Sequence, residues 1–279
     1  DISSFVDKLL ADGERTISQD KIDFFAENGH VRINQLCSKN ELTHFSESLI
    51  RVGTDIAWNK DIPLEKQRTY DRAFHQSINL WKLDPVAEAF VTAKRFAHVA
   101  AQLLQVKGVR LYHDQLLNKK AQGGHTPWHQ DAYYWLIKGS QAITMWMPLA
   151  DIDSSMGLVQ FAERSHLRGD LKGSAISGAS ETEFSELVQR EEFSLSSYES
   201  FNAGDATFHA GWTLHRAGEN TTETDRPAMT VIYIADECRI QEIERNEQRL
   251  DLLMYLPGVE EGDLAVSPMN PLLWHQDSN

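Results

Sequence analysis

Cysteine is nearly absent. Only Cys37 and Cys238 occur in 279 residues, and they form no metal or redox spacing. That excludes a disulfide framework and a thiolate metal site, and it fits a reducing, cytoplasmic setting. Long apolar runs are missing too. None approaches the roughly 20 residues that a membrane helix needs, and no secretory signal is visible. Positive charge is scarce: 27 Lys and Arg stand against 41 Asp and Glu, a balance of −14. This argues against a nucleic-acid or anionic-membrane partner, and against a highly anionic substrate such as an acyl-CoA. There is no internal repeat beyond a four-residue echo, and no linker composition divides the chain. One domain over 1–279 is therefore expected. With 41% hydrophobic and 24% charged residues, the composition is that of a globular protein with a usable core.

What is present changes character along the chain. Residues up to about 105 read as helical. Ser18 is placed to cap a helix that Gly29 closes, and 31–33 alternates like a short strand. Ser38 precedes a second helix carrying Leu42, Phe45, Leu49 and Ile50 at helical spacing. Asp84-Pro85 opens what reads as one long helix over 86–104, ended by Gly108. From about 106 to 240 the period becomes that of strands, at 109–118, 133–137, 142–149, 157–161, 194–202, 206–215 and 228–235. Residues 168–200 are rich in Ser and Glu and read as a lid or a surface excursion, with a short helix over 181–190. The tail from 240 reads as irregular. Dense short strands suggest a barrel or sandwich that the early helices buttress.

The chemistry concentrates in His129-Gln130-Asp131. On a strand, residues i and i+2 share a face, so an imidazole and a carboxylate can meet one metal ion. His215 is the candidate third ligand, completing the two-His, one-carboxylate face that non-haem Fe(II) oxygenases use. His209 competes with it, six residues earlier on the same face of a straight strand. The sequence beyond His215 favours His215. Asn220 and Thr222 read as a turn, and Arg226 would return on a hairpin beside the strand of His215. A guanidinium there suits a dicarboxylate held at both ends, as 2-oxoglutarate requires. The plainer reading of Asp131 is a salt-bridged, half-buried carboxylate. His125 and His129 have a helical metal-pair spacing, but Gly123, Gly124 and Pro127 oppose a helix. Trp274-His275-Gln276-Asp277 echoes Trp128-His129-Gln130-Asp131, lacks strand patterning, and reads as a decoy.

Taken in order, several segments resemble the phytanoyl-CoA dioxygenase-like family of Fe(II)/2-oxoglutarate oxygenases. They are Phe24 through Val31; Arg110 through Gln115 with Lys119; Trp128 through Asp131 with Trp135; Ala142 through Leu149 with Gly157-Leu158; Gly204 through His215 with Asn220, Thr222 and Arg226; and Pro257-Gly258 with Asn270 through Leu273. The resemblance spans nearly the whole chain. It implies a mainly β fold with flanking helices around a double-stranded β-helix, or jelly-roll, core. It implies iron held by His129, Asp131 and His215, and the distal carboxylate of 2-oxoglutarate on Arg226. Lys119, Gln115, Thr144 and Trp146 are implied as further cosubstrate contacts. The implied reaction uses O2 to hydroxylate a C–H bond of a small organic molecule, releasing succinate and CO2. Glu163-Arg164-Ser165-His166 departs from the family's Pro-Gly-Ser-His, which makes His166 structural. Asp131 stands where related halogenases carry a small residue. The competing readings are a cupin-like metal-dependent isomerase or lyase, and a non-catalytic small-molecule-binding barrel. A monomer or weak homo-oligomer is expected.

Overall fold

The computed structural model describes residues 13–196 and 198–278. Expectations for the first twelve residues lie outside that range. Helix α1 (Gln19–Asn28) starts after Ser18, whose side chain makes no cap hydrogen bond. It ends at Gly29, whose φ of 81° is the left-handed conformation that favours glycine. Strand β1 (His30–Ile33) follows. Helix α2 (Lys39–Ile56) opens with a reciprocal capping box between Ser38 and Glu41 and buries Leu42, Phe45 and Leu49. Helix α3 (Thr69–Ala73) leads into strand β2 (Phe74–Ile78).

The single helix expected over 86–104 is two: α4 (Pro85–Val91) and α5 (Lys94–Leu104). The chain breaks at Thr92 and Ala93. Ala93 is extended at ψ 120°, and Thr92 Oγ1 donates to the Glu88 carbonyl 2.7 Å away. The apolar stripe runs unbroken across the bend, so periodicity cannot reveal it. Gln105, at φ 55°, closes α5, whereas Gly108 begins the next strand.

That strand is β3 (Gly108–Lys119). It is followed by β4 (Thr126–His129), β5 (Ala142–Pro148), β6 (Ile152–Asp153) and β7 (Val159–Phe161). After helix α6 (Gly178–Arg190) come β8 (Ser200–Phe201), β9 (Ala206–Ala210), β10 (His215–Ala217) and β11 (Arg226–Ala235). Helix α7 (Asn246–Tyr255) and strand β12 (Leu272–His275) complete the chain. The tail is thus more regular than its Pro and Gly content suggests. The Trp274-His275 echo lies in β12, paired with β3, rather than outside any strand.

The major sheet runs β1-β9-β5-β11-β3, all antiparallel. Strands β12 and β2 share the outer edge of β3, one at each end. The amino-terminal region is therefore not wholly helical, since it supplies two strands to this sheet. The minor sheet is β4-β10-β7, and β6-β8 form a small pair. The two larger sheets face each other, as the His30 ring of β1 stacking 4.5 Å from the Phe161 ring of β7 shows. On β5, Ile143, Met145 and Met147 point toward the helices and join the main core, while Thr144 and Trp146 point between the sheets. This is a mainly β fold of jelly-roll type with flanking helices. Among the described residues no helix is long and apolar enough to cross a membrane.

Of the strands expected from β-type residues, 133–137 does not form, 194–202 shrinks to β8, and 206–215 is divided. At 133–137 the chain instead makes a 3-10 turn, Asp131–Tyr133, because Ala132 N–H donates to the Gly211 carbonyl at 2.9 Å. The run 206–215 is split between β9 and β10. The chain turns the corner from one sheet to the other at Gly211, where a Cβ would lie 2.7 Å from the Trp135 ring and 2.9 Å from the Gly139 carbonyl.

A candidate metal centre between the sheets

His129 is the last residue of β4, and Asp131 begins the 3-10 turn after it. The two are thus not on one face of a strand. The turn brings the carboxylate round to the imidazole. His215 opens β10 and is the direct antiparallel partner of His129. Their rings lie 4.1 Å apart. Asp131 Oδ1 stands 3.5 Å from His129 Nε2 and 3.6 Å from His215 Nε2. One ligand atom from each residue lies within 4.8 Å of the others, as a single ion requires.

Local hydrogen bonds aim these atoms. His129 Nδ1 is 2.8 Å from the Pro127 carbonyl, and His215 Nδ1 is 2.9 Å from the Thr213 carbonyl. Each ring therefore carries its proton on Nδ1 and turns the Nε2 lone pair to the common point. Burial, then the neighbouring His129, hold His215 well below the usual imidazole range. Burial alone would raise the Asp131 carboxyl, but His215, His129 and His209 outweigh it and hold the group well below the carboxylate range. The donor set is thus two imidazole nitrogens and one carboxylate oxygen. Such a set fits a divalent first-row metal with open positions.

His209, the competing ligand, has another place. It belongs to β9 in the major sheet, opposite Thr144 of β5. Its Nε2 lies 2.9 Å from Asp131 Oδ2, which also accepts from Thr144 Oγ1 at 2.9 Å. One carboxylate oxygen is thereby occupied and the other left free. His125 precedes β4 and lines a second cavity of about 530 Å³, away from the three. His166 Nε2 is 3.0 Å from the Ala26 carbonyl, a structural contact.

The expected hairpin from His215 to Arg226 does not exist. Strand β10 pairs with β4 and β7, whereas β11 pairs with β3 and β5. Asn220 ties the connecting loop to the Lys120 and Thr224 carbonyls at 2.9 and 2.8 Å, and the chain crosses to the other sheet. Arg226 nevertheless lines the same cavity, which holds about 580 Å³. Its guanidinium sits 5.3 Å from the Trp146 ring centre. Trp146 and Thr144 are two residues apart on one face of β5, roughly 7 Å along the strand. Thr144 in turn touches Asp131, so one face of β5 connects the guanidinium to the three-residue centre.

Arg226 is 2% exposed, and among the described residues its Nε and Nη1 have no hydrogen-bond partner. Burial lowers it to about 10, which leaves it charged. A buried, unpaired cation is costly, and a carboxylate placed here would relieve that cost. The residues therefore fit both groups that the resemblance implied: a metal on three ligands, and a diacid with one end on Arg226.

Gln115, Thr144 and Trp146 line the cavity with Arg226, whereas Lys119 does not. Lys119 is fully buried, and its ammonium donates to the Gly124 carbonyl at 2.7 Å and to Thr126 Oγ1 at 3.2 Å. Burial, then the nearby Arg226, lower it to about 6. The 168–200 segment closes one wall. Ala175 to Ser177 line the cavity, Ile176 N–H donates to Tyr134 at 2.8 Å, and Glu181 accepts from Trp128 N–H at 2.9 Å. Sequence reasoning missed His113, Tyr70 and the inner face of α7, which all line the cavity. For α7 a signal existed, since Glu247, Asp251 and Tyr255 recur at four-residue spacing.

A family model described as phytanoyl-CoA dioxygenase matches residues 25–228. No curated protein sequence matches the chain. Among solved structures, the non-haem α-ketoglutarate-dependent epimerase SnoN of nogalamycin biosynthesis is 19% identical with a TM-score of 0.73. The likeness covers 92% of this chain and 98% of SnoN. The carbocyclase SnoK of the same biosynthesis is 21% identical with a TM-score of 0.73, covering 93% and 99%. EctD from S. alaskensis, solved with 2-oxoglutarate and 5-hydroxyectoine, is 18% identical with a TM-score of 0.63, covering 83% and 82%. At such identities the likeness is one of fold.

Proposed function

This chain belongs to the phytanoyl-CoA dioxygenase family of iron- and 2-oxoglutarate-dependent enzymes, and we propose that it hydroxylates a C–H bond of a small organic molecule. In this reading His129 Nε2, His215 Nε2 and Asp131 Oδ1 hold the iron. Bound there, iron supplies dioxygen activation coupled to the oxidative decarboxylation of 2-oxoglutarate to succinate and CO2.

The chain's own residues do the rest. Arg226 takes the far carboxylate of the cosubstrate in a charge-assisted pair. Thr144 and His209 keep Asp131 from rotating by occupying Oδ2. Trp146 lies beneath the guanidinium, and with Phe74 and Val159 it keeps water from the space between the groups. Gln115 is bonded to Gln76 at 2.6 Å and offers an amide toward the same space. Lys119 supports this wall from behind, through Thr126.

One observation carries the reading: a buried guanidinium with two unpartnered nitrogens opens into the same cavity as three convergent ligand atoms. A metal-dependent isomerase or lyase that uses no 2-oxoglutarate has no need of that second group.

The test is succinate release by the purified chain with Fe(II), 2-oxoglutarate and O2, together with product analysis under labelled dioxygen. Succinate release that needs Fe(II), with one labelled oxygen in the product, is the expected result. A product of unchanged mass would point to epimerisation and overturn the hydroxylation. No succinate under any condition would overturn the cosubstrate assignment as well.

A further inference from the structure

The helix that closes the cavity turns two acids inward and two leucines outward. On α7, Glu247, Asp251 and Tyr255 lie at i, i+4 and i+8 and line the cavity. Leu250 and Leu253, by contrast, are 62% and 74% exposed. A surface helix ordinarily buries its apolar stripe and shows its charges to water. Two carboxylates held on the inner face cost stability unless something in the cavity answers them. Among the described residues neither forms an ion pair with a lysine or arginine. Asp251 Oδ2 accepts from the Tyr112 hydroxyl at 2.9 Å.

Independent features of the same lobe point to a ligand. His113, on β3, is 6% exposed and lines the cavity, yet among the described residues its Nδ1 has no hydrogen-bond partner. Its ring stacks on Tyr255 with centres 4.0 Å apart and planes 13° from parallel. Burial lowers His113 to about 4, so it adds no positive charge to the lobe. Tyr70, Tyr134 and Trp135 add aromatic surface. Carboxylates beside aromatic rings attract an organic cation. The guanidiniums on the cavity wall do not oppose this. Arg68 pairs with Asp71 at 3.1 Å, Arg216 with Glu181 at 3.3 Å, and Arg226 lies far off: it opens β11, six residues from Ile232, the strand partner of His113.

We propose that this lobe recognises the substrate as a small organic cation, a protonated amine carried on an apolar body, with Asp251 as its main counter-ion and Glu247 as a second. Burial keeps the proton on Asp251 in the empty lobe, and the arriving ammonium displaces it. The proposal deepens the oxygenase reading and rests on it for the word substrate. The recognition itself is testable without turnover.

The full chain is titrated with benzylamine and with benzyl alcohol, which share shape but not charge, and binding is followed by calorimetry or ligand-observed NMR. Benzylamine is expected to bind at least about tenfold more tightly. Asp251→Asn should remove most of that preference, and Glu247→Gln a smaller part. The wild-type comparison stands even if a variant folds poorly. Equal affinity for the two probes, or no binding of either at millimolar concentration, overturns the proposal. Binding of 2-oxoglutarate to wild type and to Arg226→Ala is measured alongside. Its failure would count against the oxygenase reading and leave the cation preference to be judged separately.

Discussion

His209 Nε2 stands 2.9 Å from Asp131 Oδ2, whereas Oδ1 is the oxygen that faces His129 Nε2 and His215 Nε2. The histidine that rivals His215 in the sequence thus braces the carboxylate of the proposed centre. Partners of this kind set ligand orientation and basicity. His209→Ala is expected to weaken Fe(II) or Mn(II) binding by about 10–100-fold, while Asp131→Ala abolishes it. Metal titration of the purified variants reads both. Unchanged affinity in His209→Ala would show that Thr144 alone suffices to hold the carboxylate.

Arg226 should be a liability to the empty protein. A buried cation without partners opposes folding, and replacing such a group with an apolar one of similar size is neutral or stabilising. Arg226→Met is expected to raise Tm in the absence of 2-oxoglutarate. The same change should raise the KM for 2-oxoglutarate about 100-fold or more, since a buried charge-assisted pair is lost. Opposite signs in the two measurements are the signature. A fall in both stability and affinity would mark Arg226 as a structural residue.

Lys119 tests whether a buried amine near the cosubstrate must touch it. Its Nζ is engaged by Gly124 and Thr126, and it is lowered to about 6 by burial and by Arg226. Lys119→Met should cost about 1–3 kcal/mol of stability, for the acceptors left unsatisfied. It should change the KM for 2-oxoglutarate by less than about threefold, because no charged contact is lost. Denaturant unfolding and steady-state succinate release separate the two.

Asp251 makes stability depend on pH in a direction opposite to most carboxylates. Burial raises it to about 8, and the hydrogen bond from Tyr112 only partly offsets this. In the unfolded chain it titrates near 4. Between those values the folded protein keeps the proton and the unfolded chain gives it up. Stability is therefore fully present below about pH 4, declines as pH rises toward 8, and levels off above. Asp251→Asn should flatten this decline, so its Tm advantage over wild type grows from pH 5 to pH 8. Thermal unfolding across that range, without substrate, checks the sign. Parallel curves for the two proteins would mean that Asp251 is already ionised when folded.

Much of this molecule is legible residue by residue. The Ser38–Glu41 capping box, the Gly29 stop and the strand-forming runs at 109–118, 142–149 and 228–235 are local facts, decided by backbone preference and nearest neighbours. So is the chemical character of His129, Asp131, His215 and Arg226. The 3-10 turn over Asp131–Tyr133 and the corner at Gly211 are not local. There, β-type composition gives way to a contact made far along the chain, Ala132 N–H on the Gly211 carbonyl. The same cause explains Arg226. A hairpin is the shortest route back to His215, yet the chain crosses to the opposite sheet and reaches the same cavity from its other wall.

Residue type and order determined on their own which side chains could bind a metal and a diacid, because those properties belong to the functional groups themselves. Which oxygen of Asp131 stays free, why His209 stands aside, and that α7 turns its acids inward were decided only when two sheets and a helix closed around one space. Distances between groups remote in sequence follow from packing, and no local preference encodes them.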